Sequence, residues 1–143
     1  MSKLSERLNE FVEESKKTLT EIEKSTGVLH SNLSEFLSDK HTPSYENFVA
    51  LLHFFNCSAD YLLGKDELHT DEPLHEVLPF GPRLRAVMKE QGISQGYMIK
   101  TMPLSSSALY KWLSGQSVPS TESLLRIANF LDCSVDYLIG RRR

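Results

Sequence analysis

At 143 residues and 16.3 kDa the chain has material for one ordinary domain or two very small ones. With 40% hydrophobic and 24% charged residues, 7 Gly and 6 Pro, it can bury a core and is neither disordered, collagen-like nor low-complexity. No apolar run approaches the ~20 residues of a membrane span, and the start Met1-Ser2-Lys3-Leu4-Ser5-Glu6-Arg7 lacks the apolar stretch of a signal peptide. A cytoplasmic protein with no membrane partner is expected. Cys57 and Cys133 are too few for a disulfide scaffold or a cysteine-based zinc site, and both are expected as small buried apolar residues.

The formal charge of −3 hides an asymmetry. Residues 1–70 hold 7 Lys/Arg against 12 Asp/Glu, and residues 80–143 hold 9 against 4, so the halves carry −5 and +5. Opposite signs suggest that one half meets a polyanion and the other does something else.

Self-similarity organises the chain. Cys57-Ser58-Ala59-Asp60-Tyr61-Leu62-Leu63-Gly64 is echoed 76 residues later by Cys133-Ser134-Val135-Asp136-Tyr137-Leu138-Ile139-Gly140. The same offset pairs Arg7-Leu8 with Arg83-Leu84, Lys24 with Lys100, Leu33 with Leu109, Leu37-Ser38 with Leu113-Ser114, Pro43-Ser44 with Pro119-Ser120 and Phe54 with Phe130. The chain is therefore a tandem duplication.

Helical spacing dominates each repeat, and no stretch alternates apolar and polar residues as a half-buried strand would. Leu4, Leu8, Phe11 and Val12 share a first helical face, as do Phe80, Leu84, Val87 and Met88. Second helices are expected near 18–25 and 94–101, and third helices near 29–37 and 105–113. Fourth helices open at Ser44 and Ser120, N-cap candidates that follow a proline and precede Glu46 or Glu122. A last turn of helix runs from Ser58 or Ser134 and stops at Gly64 or Gly140. Phe54, Phe55, Phe130 and Trp112 recur at helical spacing and are expected in the cores rather than on a base-stacking platform, which argues against RNA binding by stacking.

The expected fold class is all-α, with two tandem five-helix units at residues 1–65 and 80–143 joined by an acidic linker at 66–79. In the linker Asp66, Glu67, Asp71, Glu72 and Glu76 gather, while Leu74, Val77 and Leu78 are able to pack on one unit. Fully extended, such a segment reaches ~50 Å, enough for adjacent major grooves ~34 Å apart.

Two short helices, a tight turn, a small-polar start to the second of them and a Pro-Ser entry to an apolar helix form a recognisable series. Unit two carries Ile93-Ser94-Gln95, then Leu104-Ser105-Ser106-Ser107-Ala108-Leu109-Tyr110-Lys111-Trp112-Leu113-Ser114-Gly115, then Pro119-Ser120. Unit one carries Thr18-Leu19-Thr20-Glu21-Ile22, Thr26-Gly27-Val28, Leu33-Ser34-Glu35-Phe36-Leu37 and Pro43-Ser44. The pattern resembles the Xre/Cro, lambda-repressor-like helix-turn-helix family of bacteria and phages over nearly all the chain except the linker.

The resemblance implies a sequence-specific regulator of transcription, a repressor, binding double-stranded DNA as a homodimer without cofactor or metal. Such a fold lays the second helix of its motif in the major groove while the first crosses the backbone. In unit two the implied DNA-binding residues are Ser94, Gln95, Ser105, Ser106, Ser107, Tyr110, Lys111, Ser114, Gln116 and Ser117. Gln95 stands where the family's glutamine anchors on a phosphate, and Ser105 is the expected N-cap of the reading helix. Arg141, Arg142 and Arg143 would add phosphate contacts. In unit one His30, Ser31, Asn32 and Glu35 form a candidate second DNA site or an interface.

The departures from the family pattern bear on both units. Pro103 replaces the turn glycine, so a turn of negative φ is expected. Ile99 and Glu23 replace a small residue, which works against close packing of the motif helices. Leu19 replaces the glutamine in unit one and Glu35 the basic residue, so assembly or a protein partner fits that unit better than DNA. A protein-interaction module, such as an antirepressor or adaptor that keeps the fold, is the alternative. Five histidines without metal-ligand spacing, and the lack of a G-x-S-x-G elbow or a phosphate-binding glycine loop, argue against a metalloprotein and an enzyme.

Overall fold

Helix starts in this chain are written by small hydroxyl residues. Ser2, Thr18, Ser44, Ser58, Ser94, Ser105, Ser120 and Ser134 each accept a backbone amide from the first turn of the helix that follows. A computed structural model of the chain describes residues 1–69 and 72–142. Among them are α1 (Lys3–Ser15), α2 (Leu19–Thr26), α3 (His30–Leu37), α4 (Tyr45–Phe55) and α5 (Ala59–Leu62), then α6 (Phe80–Gln91), α7 (Gln95–Thr101), α8 (Ser106–Ser114), α9 (Thr121–Phe130) and α10 (Val135–Leu138). The described residues hold no strand, so the protein is all-α.

The chain divides into two compact units, Met1–Leu74 and His75–Arg143. Unit one closes its core on Leu8, Ile22, Leu33, Phe48, Leu51, Leu52 and Leu62, and unit two on Leu84, Val87, Met98, Leu109, Leu124, Ile127 and Leu138. Fully burying each such side chain is worth about 1.5–3 kcal/mol.

Each unit is also clasped by an arginine. In unit two Arg83 donates from Nε and Nη2 to the Tyr137 carbonyl at 3.0 and 2.8 Å and lies 4.5 Å from the centre of the Tyr137 ring. In unit one the buried Arg7 donates to the carbonyls of Tyr61 and, at 2.6 Å, Asp66, and it lies 4.2 Å from the Tyr61 ring centre. The repeat at offset 76 thus conserves one tie between the first and fifth helices.

The acidic segment is fastened at both ends. Arg7 reaches Glu67 at 3.7 Å as well as Asp66, and the His69 ring meets Phe11 edge-on at 5.4 Å. On the other side the His75 amide donates to Arg141 and the Leu78 amide to Ile139, each at 2.9 Å. Gly140 has φ 88°, and a Cβ there would stand 2.6 Å from the Leu78 side chain, so this stop admits only glycine without a shift. Asp71 of the expected linker lies outside the described residues.

Three expectations are corrected here. Arg141 is 1% exposed, its amide bonded to Asp136, so it is a buried residue of unit two and not a solvated contact for DNA. Arg142 is half-buried, and Arg143 lies outside the described residues. Phe54, Phe55 and Phe130, all in the last turn of their helices, are half-buried rather than enclosed; Trp112 is buried. Cys57 is buried, whereas Cys133 is half-buried.

Candidate nucleic-acid interface

In unit two the helices α7 and α8 form the motif. Ser94 Oγ accepts the Tyr97 amide at 3.1 Å and starts α7. Gln95 is its first residue and is exposed, while buried Met98 and Met102 hold the helix to the core.

The turn differs from the sequence expectation, since Pro103 has φ 25° rather than a negative value. The Leu104 amide donates to the Ile99 carbonyl at 3.2 Å across this turn. Gly27 holds the equivalent place in unit one with φ 80°, so both repeats turn with the same sense.

Ser105 Oγ accepts the Ala108 amide at 3.0 Å and caps α8. Leu109, Trp112 and Leu113 are buried, leaving Ser106, Ser107, Tyr110, Lys111 and Ser114 exposed along the opposite stripe. Tyr110 is 62% exposed, far more than a core tyrosine. Gly115 ends the helix with φ 82°, after which the amides of Gln116 and Ser117 both donate to the Lys111 carbonyl. Gln116 is exposed and Ser117 half-buried, and Ser114 Oγ donates back to the Lys111 carbonyl at 3.3 Å. A neutral helix start with small side chains, followed by a phenol and an ammonium on one face, suits close approach to base edges flanked by phosphates.

Unit one builds the same frame with different chemistry. Thr18 and Glu21 form a reciprocal capping box, and their hydrogen bonds hold the Glu21 carboxyl below its ordinary range. Leu19, in the place of Gln95, is half-buried. α3 starts at Leu29, which is 56% exposed and offers no side-chain cap. The missing bond comes from Glu23, whose carboxylate accepts the His30 amide. Glu23 is thus an added cap, not an obstacle between the helices. His30 and Ser31 are exposed, Asn32 is half-buried, and Glu35 lies 3.3 Å from His41 Nε2. Two carboxylates therefore flank the α3 face on which unit two carries Ile99 and Lys111.

Sequence reasoning missed two residues. Arg85 and Lys89 of α6 line one surface pocket of about 210 Å³ with Met88, Ile93, Ser94, Gln95 and Leu113. The signal was their spacing of four, which places both on one face of α6.

Among the described residues no helix is long and apolar enough to cross a membrane, and no group of three or more His, Cys, Asp and Glu is arranged to hold a metal ion. Residues 5–67 match a family described as "Helix-turn-helix domain", and residues 84–138 match one described as "Helix-turn-helix". The chain is similar to Repressor protein C2 of Salmonella phage P22, 36% identical over 59 residues, which are 41% of this chain and 27% of that protein. It is also similar to HTH-type transcriptional regulator ImmR of Bacillus subtilis (strain 168), 34% identical over 65 residues, 46% of this chain and 51% of that protein. The chain spans about a quarter and about half the length of these two relatives. No solved structure matches it significantly. With two family matches in series and two repeats of one five-helix frame, the chain belongs to the helix-turn-helix proteins and carries two such domains in tandem.

Proposed function

We propose that the protein is a sequence-specific DNA-binding regulator of transcription, a repressor, whose second unit reads the major groove with α8. The observation that carries this is the exposed stripe Ser106, Ser107, Tyr110, Lys111 and Ser114 beside exposed Gln95. Lys111 supplies a donor for a guanine edge or a phosphate, and Gln95 a brace on the backbone. Both relatives bear names of regulators, a repressor and a transcriptional regulator. The protein works without enzymatic chemistry, in the cytoplasm and on the nucleoid.

Domain limits of 1–65, 66–79 and 80–143 assign the roles. Unit one serves assembly. Glu23 and Glu35 repel phosphates from α3, while Phe11 stacks on Phe55 at 5.5 Å beside half-buried Phe54, leaving an aromatic surface edged by Glu14 and Lys17. A second copy related by a two-fold axis pairs each of those charges with its opposite. Sedimentation velocity is expected to show a dimer for the wild type and a monomer for Phe54→Glu; equal values remove the assembly role.

The DNA reading is tested by mobility shift on a random duplex. Wild type shifts it at low salt and releases it as salt rises, whereas Gln95→Ala/Lys111→Ala binds more weakly; a wild type that shifts no duplex refutes the reading.

A further inference from the structure

Three cations lie on α6, and they are used differently. Arg83 is turned inward to the Tyr137 carbonyl and ring. Arg85 and Lys89 are exposed and line the pocket with Ser94 and Gln95. Neither enters an ion pair among the described residues, and the nearest carboxylate in sequence, Glu90, is held by the Tyr137 hydroxyl at 2.6 Å.

The repeat supplies a built-in comparison. At offset 76 the positions of Arg85 and Lys89 are filled by Asn9 and Glu13. Asn9 is engaged within unit one, where its Nδ2 donates to the carbonyls of Ser5 and Leu37 at 2.8 and 2.9 Å. Ser5 Oγ donates to the same Leu37 carbonyl at 2.9 Å. In unit two Ser5 becomes Gly81, packed so closely that a Cβ would stand 2.7 Å from the Leu113 carbonyl. Where unit one holds an internally engaged asparagine and a carboxylate, unit two exposes two cations.

We infer that Arg85 and Lys89 form a phosphate clamp on α6, which extends the DNA contact of unit two beyond the helix-turn-helix motif onto its first helix. The inference rests on the DNA reading proposed above. A guanidinium binds phosphate oxygens through paired N–H groups and an ammonium adds a point charge, so each of the two holds one backbone phosphate without reading sequence. Each neutralised phosphate releases condensed counterions and adds about 0.9 to the slope of log K against log salt.

The test is affinity of the full chain for a random-sequence duplex from 50 to 200 mM salt, for wild type, Arg85→Gln, Lys89→Gln, the double variant, Arg85→Lys and Lys16→Gln. Each single neutralisation is expected to lower the slope by about 0.9, which changes the salt-induced loss of affinity over that range about threefold. The double variant loses about twice as much slope. Arg85→Lys and the unit-one control Lys16→Gln keep the wild-type slope. A double variant that melts like wild type and keeps its slope overturns the clamp while leaving the DNA reading intact. A wild type that binds no duplex overturns the DNA reading and the clamp with it.

Discussion

The Glu23 carboxylate accepts the backbone amide of His30, so the start of α3 is closed by a charge borrowed from α2. The corresponding helix of unit two closes itself with Ser105. The two repeats therefore share a backbone but present helix starts of opposite character, one guarded by a carboxylate and one neutral.

Replacing Glu23 tests that cap. Leu29 offers no side-chain bond, so Glu23→Ala leaves the α3 amides without their partner and is expected to cost unit one about 1 kcal/mol in urea unfolding. Glu23→Gln keeps an acceptor and should lose less. Equal stability of Glu23→Ala and wild type would remove the cap from the account.

The Arg83 clasp combines two charge-assisted hydrogen bonds with stacking on Tyr137. Arg83→Ala is expected to destabilise unit two by about 2 kcal/mol. Arg83→Lys should restore only part of this, since an ammonium cannot bond through two nitrogens. Denaturant midpoints of both variants decide the point.

Acid should weaken unit one through its caps. Hydrogen bonds from Thr18 lower the Glu21 carboxyl from 4.5, and those from Ser2 lower Asp39 from 3.8. A carboxyl depressed in the fold stabilises above its unfolded value, and that stability fades as pH falls through the lowered folded value. Unfolding measured from pH 6 to pH 2 should therefore show a shallower acid decline for Glu21→Gln than for wild type. An unchanged decline would contradict the role of the capping box.

Much of the frame is legible in the sequence because it is written locally. Ser44, Ser58, Ser105, Ser120 and Ser134 announce their caps by type and position, and Gly64 and Gly140 announce the stops. The repeat at offset 76 carries the fold from one unit to the other. What is illegible depends on distance in the chain. The burial of Arg141 arises when His75 and Leu78 lie along residues 139–141, and no local pattern predicts it. Arg85 and Lys89 join Ser94 and Gln95 only once α6 packs against the motif. Glu23 as a cap for α3 likewise needs the folded geometry.

The most direct measurement is selection of bound duplexes from a random pool by wild type, by Gln95→Ala/Lys111→Ala and by Ser31→Ala/Asn32→Ala. Wild type and the unit-one variant are expected to enrich the same palindrome, and the unit-two variant none. No enrichment by wild type, or the same motif enriched by the unit-two variant, would contradict DNA reading by α8.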